Sequence, residues 1–302
     1  MVFNHPIGVR IPVGPPNSFM KLLRVGNINK EKPAIVDKNN VIRDLSSIIK
    51  DLNPKTINQN TIEIIKKTDL QKLPTISNNV RIGSCVANPE KFIGIGLNYT
   101  DHAEETGMKP PSEPIIFIKA NSCLIGPYDN VVIPKNSKKT DWEIELGIII
   151  GKKAQYISEE KSFEHIFGYC VVNDVSEREF QIERSGQWDK GKGCDTFGPI
   201  GPYIVTKDEI KEVQNLKLEL KLNGTIMQKG NTNKMIFGVK HIISYLSNFM
   251  TLNPGDIITT GTPPGVGMAR KPPIYLKSGD EMILAIENLG FQKQKVVSID
   301  NS

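Results

Sequence analysis

Thr140-Asp141-Trp142-Glu143-Ile144-Glu145-Leu146-Gly147-Ile148-Ile149-Ile150 is the stretch around which the chain is organised. Trp142, Ile144 and Leu146 alternate with Glu143 and Glu145, the two-residue period of a β-strand, so both carboxylates leave one face. The apolar run 148–150 that follows predicts a strand covered on both faces. Two carboxylates side by side on a covered strand repel each other and lose hydration, so they require a cation or shared protons. Oxygen-only ligands suit a hard ion such as Mg²⁺ or Mn²⁺. The same alternation also fits a solvated Glu face on an antiparallel strand, and this stretch alone does not choose.

The chain has 302 residues, 38% hydrophobic and 24% charged, the balance of an ordinary soluble globular protein. Its net charge of +5 comes from 38 basic and 33 acidic residues. The lysines are scattered rather than clustered or interleaved with aromatics, which argues against nucleic acid. Cys85, Cys123, Cys170 and Cys194 show no CxxC spacing and are expected as free thiols of a cytoplasmic protein. No apolar run reaches the roughly 18 residues that span a bilayer, so no membrane partner is expected. Residues 1–19, rich in Pro and Gly and without a continuous apolar core, read as a flexible leader outside the fold and not as a signal peptide.

Residues 20–88 read as a small N-terminal α+β accessory domain. It holds a hairpin around Asn39-Asn40 and a helix over 61–67. From Phe92 the character changes. Ile93-Gly94-Ile95-Gly96-Leu97 is a glycine-bearing strand that lacks the third glycine of a dinucleotide fingerprint. Asp101 is expected to cap a helical turn ended by Gly107, with His102 and Glu105 three residues apart on one face. A His held by a carboxylate can take a proton from water, although a capping turn with an ion pair accounts for the same residues.

Strands are expected at 115–118, ending at Lys119, at 131–133, and at 168–172, the last delivering Asn173-Asp174. A carboxylate at a strand end borders a cleft and is a candidate third metal ligand. The plainer alternative is a turn, or a cap for a helix over 175–178. The 186–199 loop is glycine-rich, and its Lys190 and Lys192 flank Gly191, where an ammonium meets an anion or an enolate. Further on come a hairpin over 216–227 turning at Asn223-Gly224 and an amphipathic helix over 239–250 with a structural or surface His241. The 259–267 loop offers hydroxyls and amides to a carboxylate, and a last strand covers 281–286. Many short strands with few helices predict a β-rich mixed α/β fold.

Taken together, Gly96-Leu97-Asn98-Tyr99-x-x-His102-x-x-Glu105, Asp141-Trp142-Glu143-Ile144-Glu145-Leu146-Gly147, Asn173-Asp174-Val175-Ser176, Gln187 to Thr196 and Thr260 to Gly267 resemble the fumarylacetoacetate hydrolase family. The resemblance covers about residues 90–298 and implies a catalytic domain over 89–302 of twisted β-sheets rolled around a divalent ion, in a homodimer. It implies that Glu143, Glu145 and Asp174 hold Mg²⁺ or Mn²⁺. His102 and Glu105 then form a dyad on a lid that orders with substrate, Lys192 contacts the substrate, and Tyr99, Gln187, Gly261 and Thr262 lie on the substrate side. Within the family the chain is similar to 2,4-diketo-3-deoxy sugar-acid hydrolases and proteins labelled ureidoglycolate lyases. Glu177 departs from the usual pattern and is expected as an extra charge near the metal.

The activity so implied is hydrolysis of the C–C bond of a 2,4-dioxo acid, an acylpyruvate or a 2,4-diketo-3-deoxy sugar acid. The 2-oxo acid end is chelated, His102 activates water and Lys192 stabilises an enolate. Ureidoglycolate elimination and oxaloacetate-type decarboxylation or isomerisation use the same parts. A metal-stabilised binding protein without catalysis is the reading from a different class.

Overall fold

The computed structural model describes residues 20–299; the leader expected over 1–19 lies outside them. The backbone of the fold is an 11-stranded sheet. Ten of its strands run in the order Thr75–Ile76, Ile42–Asp44, Lys32–Val36, Lys21–Val25, Gly198–Thr206, Ile166–Asn173, Ile144–Ile150, Ile257–Thr259, Phe92–Gly96 and Ile115–Lys119. A five-stranded sheet packs on it: Thr225–Asn231, Lys217–Leu222, Glu281–Ile286, Gly290–Ser298 and Val131–Ile133. The alternating residues Leu218, Leu220 and Leu222, with Met282, Leu284 and Ile286, are buried in one core with Ile144, Leu146 and Ile148. All seven residues of Ile144–Ile150 are buried, as expected of a strand covered on both faces.

Residues 20–88 supply four strands and helix α1 (Gln59–Lys67), and the first strand pairs antiparallel with Gly198–Thr206. Their sheet therefore continues into the one that carries the carboxylates. Helix α1 begins where the Asn58 side chain accepts the Thr61 N–H. The hairpin turn before Ile42 closes on Asp37, whose carboxylate accepts the N–H groups of Asn39 and Val41. Asn223 and Gly224 both adopt positive φ, 51° and 82°, which the two-residue turn requires.

Three local expectations change. Helix α2 (Thr100–Thr106) starts earlier than expected, with Tyr99 at its N-cap. Asp101 sits inside the first turn, its carboxylate taking the His102 N–H, so it is not the cap. Residues 175–178 form no helix; Ser176–Glu177 pairs as a short strand with Thr140–Asp141. Of the expected helix over 239–250, α4 keeps Val239–Ser247, after helix α3 (Asp189–Lys192) earlier in the chain.

Candidate active site

The antiparallel register Ile144↔Asn173 and Glu145↔Val172 builds the site. One step beyond it, the Asp174 N–H donates to the Glu143 carbonyl at 2.9 Å, which sets those two residues opposite each other. Glu145 leaves the same face two residues along. The result is one buried cluster, in which carboxylate oxygens of Glu143, Glu145 and Asp174 lie within 4.8 Å of one another.

Three cations balance it. Lys192 Nζ donates to Glu143 Oε2 and Asp174 Oδ2, both at 2.6 Å. Lys119 Nζ donates to the other Asp174 oxygen at 2.6 Å and also to the Lys192 carbonyl. Arg178 sits between Asp141 (Nε to Oδ2, 2.9 Å) and Glu143 (Nη2 to Oε1, 2.8 Å). Its Nη2 meets Glu143 as an ion pair and not as an aligned hydrogen bond. Burial by itself raises the Glu143 carboxyl, but Lys192 and Arg178 outweigh it and hold the group well below the usual range.

Among the described residues no cation is in contact with Glu145. Burial first, then Asp174 and Glu143, push its carboxyl well above the usual range. Its Oε2 accepts the Thr259 hydroxyl at 2.5 Å and the Gly261 N–H at 2.7 Å. Gly261 has φ +92°, and a Cβ there would come within 2.7 Å of the Asn98 side chain, so only glycine brings this amide to the carboxylate. Three all-oxygen donors, with one carboxyl that burial disfavours as an anion unless a cation joins it, fit a hard divalent ion.

On α2 the dyad is formed. His102 Nδ1 lies 3.1 Å from Glu105 Oε2. Glu105 in turn accepts the Gly265 N–H through both oxygens, at 2.9 and 3.0 Å. The Gly265 carbonyl accepts from Trp142 Nε1 at 3.1 Å, so the residue that α2 docks on is tied to the carboxylate-bearing segment. Burial raises the Glu105 carboxyl, but the bonds to His102 and Gly265, with the charges of His102 and Arg270, bring it below its ordinary value.

The match to "Fumarylacetoacetate (FAA) hydrolase C-terminal" spans residues 91–297. The chain belongs to the fumarylacetoacetate hydrolase family. A relative from Burkholderia orbicola, named as a hydrolase, is 53% identical over 277 residues, covering 91% of this chain and 98% of the relative. The fumarylacetoacetate hydrolase structure from psychrophilic Exiguobacterium antarcticum is 33% identical with a TM-score of 0.83, over 92% of this chain and 99% of that one. Maleylpyruvate hydrolase from Sphingobium sp. SYK-6, in complex with manganese(II) and pyruvate, is 28% identical with a TM-score of 0.78, over 92% and 99%.

Other members of this family's motif blocks fall in different places. Thr262 donates its hydroxyl to the Ile144 carbonyl at 2.9 Å and accepts from Gln228 Nε2 at 2.8 Å, so it braces the strand. The Tyr99 hydroxyl is buried with no hydrogen-bond partner among the described residues. Gln187 is exposed before α3 and makes no side-chain bond to the cluster. Lys190 turns away to the Arg184 carbonyl, leaving Lys192 as the ammonium of the pair that reaches the carboxylates. Gly191 serves packing: a Cβ there would meet the Glu177 carbonyl at 2.3 Å.

Glu177 does not join the cluster either. Its carboxylate accepts the N–H groups of Lys139 and Phe180 and the Ser137 hydroxyl, because the Ser176–Glu177 pairing turns it toward those donors. Sequence reasoning missed Lys119, Arg178 and Asp141. Lys119 carried a signal, as a lysine ending an apolar strand, and Asp141 stood inside the opening stretch.

Proposed function

We propose that the protein is a divalent-metal-dependent hydrolase that cleaves the C–C bond of a 2,4-dioxo acid, an acylpyruvate or a 2,4-diketo-3-deoxy sugar acid. The observation that carries this reading is the buried Glu143, Glu145 and Asp174 cluster with the His102–Glu105 dyad seated over the same loop. The maleylpyruvate hydrolase similar to it, seen with manganese(II) and pyruvate, supports it. Held by those three carboxylates, Mg²⁺ or Mn²⁺ would supply a Lewis acid for the carboxylate and 2-oxo oxygens of the substrate.

The chain's own residues do the rest. Glu105 accepts the Nδ1 proton of His102 and so leaves Nε2 as the base. His102 Nε2 takes a proton from a water, whose oxygen attacks the C4 carbonyl. The C3–C4 bond breaks, its electron pair passes to the pyruvate enolate, and C4 leaves as a carboxylic acid. The Lys192 ammonium places positive charge beside the enolate, and the proton on His102 returns to C3. A homodimer, which the family resemblance implies, is part of the same proposal; light scattering after gel filtration should return twice the chain mass.

The test uses Mn²⁺-loaded protein with acetylpyruvate, 2,4-diketo-3-deoxy sugar acids, oxaloacetate and ureidoglycolate. Pyruvate release from a dioxo acid is expected, and His102→Ala should lower kcat by about 10²–10⁴-fold with bound Mn²⁺ unchanged. Turnover of oxaloacetate or ureidoglycolate alone moves the reading to a decarboxylase or a lyase. Bound metal without any turnover leaves a binding protein.

A further inference from the structure

Gly94 and Gly96 lie on one face of strand Phe92–Gly96, and neither has positive φ, so neither is required by its backbone conformation. Each leaves room for a ring instead. A Cβ at Gly94 would come within 2.1 Å of Phe117 Cζ, and one at Gly96 within 2.3 Å of Trp188 Cζ3. The two rings meet with centroids 5.7 Å apart and planes at 51°. The Lys192 ammonium stands over the Phe117 ring, 5.0 Å from its centre, and both residues are buried. Trp188 is what holds the segment that carries the lysine. From Ile182 to Lys190 it alone is not exposed. Its carbonyl accepts the Lys192 N–H at 3.0 Å across α3, and its neighbour Asp189 accepts the Ile118 N–H at 3.0 Å from the edge strand that bears Phe117.

A lysine ammonium has three N–H groups, and Glu143 and Asp174 accept two of those on Lys192. Another carboxylate against it would hold it as well, but would also cancel the charge that an enolate needs. A ring attracts the cation through its quadrupole and leaves the charge intact. Glu143 and Asp174 are also the carboxylates that a divalent ion would draw on. The ring is the contact of Lys192 for which such an ion does not compete.

We propose that Phe117 and Trp188 are positioning residues for Lys192. The Phe117 ring fixes the ammonium where it meets the enolate, and Trp188, seated in the space that Gly96 leaves, fixes both the ring and the turn that ends in the lysine. What Lys192 does there rests on the reaction proposed above; the aromatic seat rests on the distances alone.

Two measurements test it. The first needs no turnover: calorimetric binding of oxalate, planar and doubly charged like the pyruvate enolate, to Mn²⁺-loaded wild type, Phe117→Leu, Trp188→Ala, Lys192→Met and the two double variants with Lys192→Met. Phe117→Leu and Trp188→Ala should each weaken oxalate by about 3–30-fold, the range of a desolvated cation–ring contact. Neither should weaken it further once Lys192 is methionine. Losses of the same size with and without the lysine make the two rings plain packing and overturn the inference, as does oxalate binding that no ring variant alters. The second measurement replaces Phe117 by 3,5-difluorophenylalanine, which keeps the shape of the ring and drains its face, and serves in the first cycle if Phe117→Leu does not fold. Turnover of acetylpyruvate should then show a lowered kcat with KM little changed. An unchanged kcat overturns the inference. A protein that turns over no dioxo acid, yet shows the lysine-dependent loss of oxalate, would retain the seat and refute the reaction.

Discussion

Glu145 spends one oxygen on the Thr259 hydroxyl and the Gly261 amide and leaves the other for the cluster. Glu145→Gln keeps an oxygen acceptor for both donors, so the fold should survive the change. What it removes is the charge that a divalent ion has to find there. Mn²⁺ affinity, measured by calorimetry, should fall by at least the ~10–100-fold that the loss of a ligand's supporting group already costs. Unaltered affinity in this variant would mean that the carboxylate does not hold metal. Lys192 and Lys119 act at the same scale: each is almost fully buried, and each ammonium contacts Asp174, so Asp174 is oriented from two sides before any ligand arrives.

At the scale of the element, α2 is a short helix whose position depends on what it docks against. Gly107 ends it in the left-handed region, φ +68°. Its seat is Gly265, at φ +108°, where a Cβ would come within 1.9 Å of the Met227 carbonyl, so the backbone must approach that closely without a side chain. The bond from this seat goes to Glu105, whose carboxyl is held below its ordinary value in the fold. A depressed folded pKa contributes stability above the unfolded value, about 4.3, and that stability is lost as pH falls through the folded value. Docking of α2 should therefore protect amides 100–107 evenly from pH 7 to about 5 and release them below about 4, after correction for intrinsic exchange rates. Glu105→Gln should show no such acid step. Identical profiles for the two proteins across this window would show that Glu105 does not latch α2.

Across the whole molecule, a second set of charges ties the N-terminal strands to the catalytic region. Arg24 pairs with Asp51 and Glu31, Glu31 with Arg81, and Arg81 with Asp129. These residues line a cleft of about 810 Å³ between the two regions, away from the carboxylate cluster. The Arg24 side chain is only 10% exposed and is the cation on Asp51, so removing the guanidinium leaves Asp51 without its cation while Glu31 keeps Arg81. Arg24→Met should destabilise the protein by roughly 1–3 kcal/mol, read as a lowered urea midpoint. A midpoint within error of wild type would show that the network contributes nothing. Because the N-terminal strands are hydrogen-bonded into the main sheet, that loss should be felt at the site as well as at the cleft.

What the sequence determined by itself were the features that repeat or act over a few residues. The alternation at Glu143 and Glu145, the three-residue spacing of His102 and Glu105, the Asn223-Gly224 turn and the strand end at Asp174 all follow from backbone periods and local dihedral preferences. Only the tertiary structure decided which of these meet. The pairing of Ile144 with Asn173 sets Asp174 opposite Glu143, and no period in the chain announces that register. Lys119 reaches Asp174 across 55 positions, and Glu105 reaches Gly265 across 160. Glu177 shows the converse: its charge looked like part of the site, and a two-residue strand pairing turned it to the backbone N–H groups of Lys139 and Phe180. Ion pairs and buried hydrogen bonds are set by distance in space and by the loss of water around them, and neither leaves a local mark in the order of residues.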